Sequence, residues 1–246
     1  MNRGRVRLGV NVDHVATVRQ ARRGRVPDLL DLARQCERAG ADSIVCHLRE
    51  DRRHIQDADV RQLKAKLRVP LNLEMSIAQD IVKVALSVRP AQVTLVPERR
   101  QELTTEGGLD VTRLERRVRR VIEQFRRRDV DVSLFIDPER AQLDAAADVG
   151  AQIIELHTGV YADARGEPAR RRARASLARA AAYGHGLGLR VAAGHGLDYQ
   201  NVAPIARIPE IEELNIGFSI VSRALTCGMT RAVAEMRARM MARRGR

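Results

Sequence analysis

Eight times along the chain a short apolar run gives way to polar or ionisable residues. The segments are LGVNVDH (8–14), SIVCHLRED (43–51), PLNLEM (70–75), QVTLVPE (92–98), DVSLFID (131–137), IIELHTG (153–159), RVAAGHG (190–196) and ELNIGFS (213–219). Short runs of this kind, rich in Val, Ile and Leu, predict strands. Between them lies room for helices, expected over 27–40, 57–67, 76–90, 110–128, 138–149, 167–184 and 219–243. The helix expected at 76–90 has Ser76 as its cap and stops at Pro90, and a shorter one near 201–208 is interrupted by Pro204. Strand then helix, eight times over, predicts an α/β fold, a (β/α)8 TIM barrel. Residues 1–246 read as one domain of the usual barrel size, without a linker.

Strand alternation sharpens the picture, because residues i and i+2 share a face. Asn11 with Asp13, His47 with Arg49, Asn72 with Glu74, Ser133 with Asp137, Glu155 with His157, and Asn215 with Gly217 form polar sets. The residues between them (Val10, Val12, Leu48, Leu71, Leu73, Ile154, Leu156, Leu214, Ile216) are apolar and suit the sheet–helix interface. A barrel interior is ordinarily filled by branched apolar side chains. Polar groups converging there from many strands are costly to desolvate unless they perform chemistry. Active sites of this fold lie where strands end, and there the chain places Asn11, Asp13, His14, His47, Arg49, Glu74, Glu155, His157 and His195.

Composition changes the picture little. The net charge is +13, yet 41 of the 44 basic residues are Arg and aromatics make up only 2%, so the stacking platforms of a nucleic-acid binder are nearly absent. The Arg runs are expected on exposed helix faces. No apolar stretch approaches the ~20 residues of a membrane span, and the N-terminus lacks a signal-peptide pattern. The reading is a soluble cytoplasmic protein with no nucleic-acid or membrane partner. Cys36, Cys46 and Cys227 are scattered and suggest buried thiols rather than a disulfide or thiolate zinc site.

AGHG (193–196) and NIGFS (215–219) end the seventh and eighth strands, where barrels often cradle a phosphate on backbone N–H groups. Arg49, Arg52, Arg53 and His54, with Arg19, Arg22 and Arg23, suggest a second anion site. The only lysines, Lys64, Lys66 and Lys83, fall in expected helices, so an enzyme-bound imine is nearly excluded. What remains is acid–base work by His and Glu. No HxH, HExxH or Asp-rich cluster is present, so no metal is expected. The polar loop at 98–109, ERRQELTTEGGL, has the character of a lid. Two other readings are another phosphate-binding barrel, such as a sugar-phosphate isomerase or epimerase, and a basic nucleic-acid-binding scaffold.

The combination GVNVDHVATVRQARR (9–23), HLREDRRHI (47–55), NLEM (72–75), LVPERRQELTTEGGLDV (95–111), SLFID (133–137), IELHTGVYA (154–162), AGHGLDYQNV (193–202) and ELNIGFSIVSRA (213–224) closely resembles the pyridoxine 5′-phosphate synthase family, in the same order over nearly the whole chain. The resemblance implies a barrel with extra helices, assembled into an octamer. It implies a cofactor-free condensation of 3-amino-2-oxopropyl phosphate with 1-deoxy-D-xylulose 5-phosphate to pyridoxine 5′-phosphate, phosphate and water. By resemblance His47 and Glu74 are acid–base residues, His195 is the proton donor, and Glu155 stabilises the transition state. Asn11, Arg22, Gly196, Gly217 and Phe218 match positions that bind the amino-ketone phosphate. Asp13, His14, Arg49, His54 and Thr104 match positions that bind the deoxyxylulose phosphate. One departure is Phe218, where family members often carry His.

Overall fold

The computed structural model describes residues 5–98 and 107–241. Eight parallel strands close into a barrel in chain order: β1 (Arg7–Asn11), β2 (Ser43–Leu48), β3 (Leu71–Met75), β4 (Gln92–Leu95), β5 (Asp131–Ile136), β6 (Ile153–His157), β7 (Arg190–Gly194) and β8 (Ile211–Ile216). The ring is completed by β1 on β8, with Arg7 opposite Glu213 and Gly9 opposite Asn215. Around it run α1 (Asp13–Gln20), α2 (Leu29–Arg38), α3 (Asp57–Lys66), α4 (Gln79–Val88), α5 (Val111–Arg126), α6 (Arg140–Asp148), α7 (Gly159–Ala162), α8 (Glu167–Gly186), α9 (Val202–Ile205), α10 (Phe218–Cys227) and α11 (Met229–Met241).

The helices form because each has an apolar stripe to bury. In α2, Leu29, Leu30, Ala33 and Cys36 recur at helical spacing and are buried, while Asp28 caps the start by accepting from Asp31 N–H at 2.9 Å. The stripes meet the outward side chains of the strands. All nine apolar residues expected at the sheet–helix interface, and Cys46, belong to the one hydrophobic core. Fully burying a side chain of this size contributes about 1.5–3 kcal/mol, so this outer layer holds the fold and frees the inner layer for polar groups. The inside is mixed, because Val45, Phe135, Ile153 and Ala192 are buried on the same faces as His47, Ser133, Glu155 and Gly194.

Three local expectations are corrected, and one element is additional. Asp13 does not continue β1; it opens α1, a short helix that DHVATVRQ conceals because Val15, Thr17 and Val18 are β-branched. Ser76 is no cap, since α4 starts three residues later and the Ser76 hydroxyl instead donates to Glu50 at 2.7 Å. The helix expected over 219–243 is two helices, broken at Gly228, whose φ of 79° a helix interior does not allow. The extra turn α7, directly after β6, was not foreseen.

Candidate active site

A cavity of about 1280 Å³ opens at the C-terminal ends of the strands. Its wall includes Asn11, Asp13, His14, His47, Arg49, His54, Glu74, Glu155, His195, Gly196, Gly217 and Phe218. Two proposed site residues are not among them. Arg22 is exposed and outside this wall. Thr104, with most of the 98–109 loop, lies outside the described residues.

Register explains the convergence. His47 on β2 stands opposite Glu74 on β3. Asp13, at the start of α1, turns back so that one carboxylate oxygen accepts from His47 N–H at 2.7 Å and the other from Asn11 Nδ2 at 3.0 Å. Asn11 Nδ2 also lies 3.4 Å from Glu74 Oε2. On the far wall Glu155 reaches from β6 across β7 to Asn215 on β8, whose Nδ2 donates to it at 2.6 Å. That path is open because the intervening residue is Gly194, where a Cβ would collide with Glu155 Oε1.

Two carboxyls are therefore enclosed together. Burial, then the negative charges of Glu155 and Asp13, raise Glu74 well above the usual carboxylate range. Burial also raises Glu155, against the hydrogen bond from Asn215. Both are pushed toward the protonated form, the condition under which a carboxyl can act as acid and base near neutrality. Burial, and then its neighbour His157, lower His195. A histidine so placed sheds a proton readily once charged. Burial likewise lowers His54, whose Nδ1 accepts from Ile55 N–H at 2.8 Å. Asp13, His47 and Glu74 bring ligand-type atoms within 4.8 Å of one another. Asp13 is already satisfied by two N–H donors and Glu74 favours a proton, which suits proton transfer better than a cation.

His195 has φ of 79°, a left-handed conformation that costs a non-glycine residue about 1–3 kcal/mol. It is held there by the buried Thr158, whose hydroxyl donates to the carbonyls of Gly194, at 2.7 Å, and of His195. The His157 ring lies 5.1 Å from the His195 ring, edge to face, and Asp137 Oδ1 anchors His157 Nδ1 at 3.0 Å. Next in the chain, Gly196 has φ of 74° and approaches α7 so closely that a Cβ would sit 2.6 Å from Ala162 Cβ. Beyond β8, Gly217 leads into α10, so the ends of β7 and β8 and a helix N-terminus face one corner of the cavity.

The basic cluster expected as a second anion site is partly committed elsewhere. Arg19 pairs with Asp59 through two 2.7 Å contacts, and Arg52 with Asp57 at 2.7 Å. Arg49 is 4% exposed on the cavity wall, with Nε 3.3 Å from Asp51. Phe218 is 69% exposed, its ring edge to face with His14 at 5.2 Å.

Sequence reasoning left out Glu98 and Thr158, and it named Asp137 and His157 without joining them as a pair. Glu98 Oε1 lies 2.9 Å from His47 Nε2, with both side chains nearly sealed from solvent. Its signal was present, since it closes the VPE strand end. Thr158 carries no chemical signal in the sequence.

The family model "Pyridoxal phosphate biosynthesis protein PdxJ" matches residues 8–242. The chain belongs to this family. It is 53% identical to the pyridoxine 5′-phosphate synthase of Photobacterium profundum, over 95% of this chain and 96% of that protein. It is 56% identical to the enzyme of the same name from a Synechococcus species, over 95% and 98% of the two chains. Among solved structures, phosphoribosyl anthranilate isomerase from Thermus thermophilus superposes with a TM-score of 0.60 at 15% identity, covering 96% of this chain and 98% of that one. At that identity the likeness concerns the barrel alone.

Proposed function

We propose that the chain is a pyridoxine 5′-phosphate synthase of the PdxJ family. It condenses 3-amino-2-oxopropyl phosphate with 1-deoxy-D-xylulose 5-phosphate and releases pyridoxine 5′-phosphate, phosphate and water. The observation that carries the site assignment is the pair of enclosed carboxyls, Glu74 and Glu155, set between His47 and His195 around one cavity.

The amine that forms the imine belongs to the amino-ketone substrate, and no lysine lines the cavity. The protein's work is then to bind two phosphates and to move protons. Glu74 and His47, on adjoining strands, serve proton abstraction and the dehydration steps. His195, low in proton affinity, returns protons as an acid once it has taken one up. Glu155, steadied by Asn215, stabilises charge in the transition state. The amino-ketone phosphate docks at Asn11, Gly196, Gly217 and Phe218, favoured by the N-terminus of α10. Phe218 serves through its main-chain N–H, which spares the function a His-to-Phe change would otherwise remove. Asp13, His14, Arg49 and His54 take the deoxyxylulose phosphate. Arg22 and Thr104 remain part of the proposal by family resemblance only.

No described helix is long and apolar enough to cross a membrane. We infer a cytoplasmic homo-octamer without a nucleic-acid partner; exposed Leu225 and Val160, at 78% and 70%, support buried contacts between copies. The test is direct. The two phosphorylated substrates are mixed with purified protein and the pyridine chromophore and released phosphate are followed. No chromophore above the enzyme-free control refutes the reading.

A further inference from the structure

We propose that Glu98 is the positioning residue that fixes the tautomer of His47, presenting Nδ1 as the lone-pair nitrogen for proton abstraction. The inference rests on the reading of His47 as an acid–base group.

Three observations build it. First, Glu98 Oε1 is 2.9 Å from His47 Nε2, and the two side chains are only 5% and 7% exposed, so water does not compete for the contact. Second, Glu98 is itself held, because its other oxygen accepts from Glu50 N–H at 2.9 Å. The backbone beneath it is fixed as well, with Val96 N–H donating to Met75 carbonyl at 3.0 Å, so the β3–β4 ladder runs almost to Glu98. Third, burial pushes the Glu98 carboxyl up, but the hydrogen bond and charge of the His47 ring, then the Glu50 N–H and the charge of Arg49, outweigh it and hold Glu98 below the ordinary range. It is a carboxylate, which accepts and cannot donate. His47 Nε2 must then carry a hydrogen, and in the neutral ring Nδ1 is left as the acceptor. The main chain of His47 is clamped separately by Asp13 at 2.7 Å. Backbone and ring are thus oriented by different carboxylates, one at the start of α1 and one beyond the end of β4. Glu98 is not among the residues that line the cavity; it acts through the imidazole, as the third member of a catalytic triad does.

The contact to Glu50 makes the inference testable in an unusual way. A main-chain N–H only donates. In Glu98→Gln the amide oxygen must therefore face Glu50, which turns the NH2 toward His47. An NH2 only donates, so Nε2 becomes the acceptor and the proton moves to Nδ1. The near-isosteric change enforces the wrong tautomer, whereas Glu98→Ala leaves the ring free to adopt either one.

The experiment measures kcat and KM for wild type, Glu98→Gln and Glu98→Ala, with 15N spectra of histidine-labelled, substrate-free protein. Wild type is expected to show His47 as the Nε2–H tautomer and Glu98→Gln as the Nδ1–H tautomer. Turnover in Glu98→Gln should fall by about 10²-fold or more, the scale of general acid–base catalysis, with KM little changed. Glu98→Ala should retain more activity than Glu98→Gln. A merely structural glutamate would give the reverse order, because glutamine preserves packing and alanine does not. An equal or greater loss in Glu98→Ala, a Glu98→Gln spectrum unchanged from wild type, or a tautomer change without loss of turnover overturns the proposal. If glutamine prevents folding, an Nδ1–H tautomer in wild type still overturns it, and Nε2–H there with tautomer mixing and partial activity in Glu98→Ala upholds it. His47→Ala with normal turnover removes the acid–base reading itself, a result separate from the substrate-free spectra.

Discussion

Replacing Thr158 by Val keeps the shape of a fully buried side chain and deletes one hydroxyl. That hydroxyl is shared between the carbonyls of Gly194 and His195. Gly194 keeps a second partner, the N–H of Thr158 at 2.9 Å, so its carbonyl stays satisfied. The His195 carbonyl loses the donor that holds it. A carbonyl stripped of its bond costs about 1–3 kcal/mol when buried. Here the group is half-buried, and relaxation of the left-handed φ returns part of the loss, so roughly 1–2 kcal/mol is expected. For a chain of this size each kcal/mol moves Tm by about 2–4 °C, which gives a fall of roughly 2–8 °C. The effect on turnover should be larger in proportion. A relaxed residue 195 swings its ring, and a displacement of about 1 Å at a reacting group costs on the order of 10²-fold. Thr158→Ser restores the hydroxyl and should restore both quantities. Differential scanning calorimetry and steady-state kinetics on the three proteins decide it. A valine variant that loses stability but turns over normally would show that Thr158 props the fold without setting His195.

Three further outcomes are expected. Glu74→Gln should cut turnover by roughly 10²-fold or more while raising stability at alkaline pH. A carboxyl whose folded pKa is raised binds its proton more tightly in the native state, so wild type loses stability as pH climbs from the unfolded value of about 4.3 through the raised folded one. Glutamine does not titrate, so the Tm difference between the two should open across that window and vanish below it; parallel Tm–pH curves contradict the assignment. Arg49→Ala should weaken deoxyxylulose phosphate by about 10- to 150-fold, the worth of a charge-assisted hydrogen bond of about 1.5–3 kcal/mol, and spare the amino-ketone phosphate; calorimetric titrations that show equal weakening of both reject it. Activity should survive exhaustive chelation, and a loss restored by zinc or magnesium would assign the Asp13–His47–Glu74 cluster to a cation.

The barrel was legible because its two layers obey different rules. Outward residues such as Leu73 and Leu156 had to be apolar to meet the helices, so the polar partners Asn72, Glu74, Glu155 and His157 stood out beside them. Strand-end residues whose side chains point along their own strand's face, such as His47 and Glu74, were found for the same reason. What escaped depends on the chain turning back. Glu98 reaches the site from beyond a proline after β4, and Thr158 through a hydroxyl bound to another strand's carbonyls. Alternation carries no information on any of these. His157 was seen at its strand end, but its engagement with Asp137 and His195 is a matter of three-dimensional spacing. Arg22, named from its basic cluster and from family resemblance, does not line the cavity of this chain.

Closure of the ring has a consequence for biosynthesis of the enzyme itself. Asn11 lies near the start of the chain and Asn215, which steadies Glu155, comes more than two hundred positions later, yet both belong to one cavity wall. A chain paired only as far as β7 can place His47 beside Glu74, but Glu155 lacks its Asn215 partner and β1 has no eighth strand to lie against. Long-range pairing of this kind forms late, because its loop-closure entropy must be overcome before any contact rewards it. The cavity wall shared by Asn11 and Asn215 is therefore complete only once β1 and β8 have met. Truncated or half-folded copies lack the complete enclosure of the cavity.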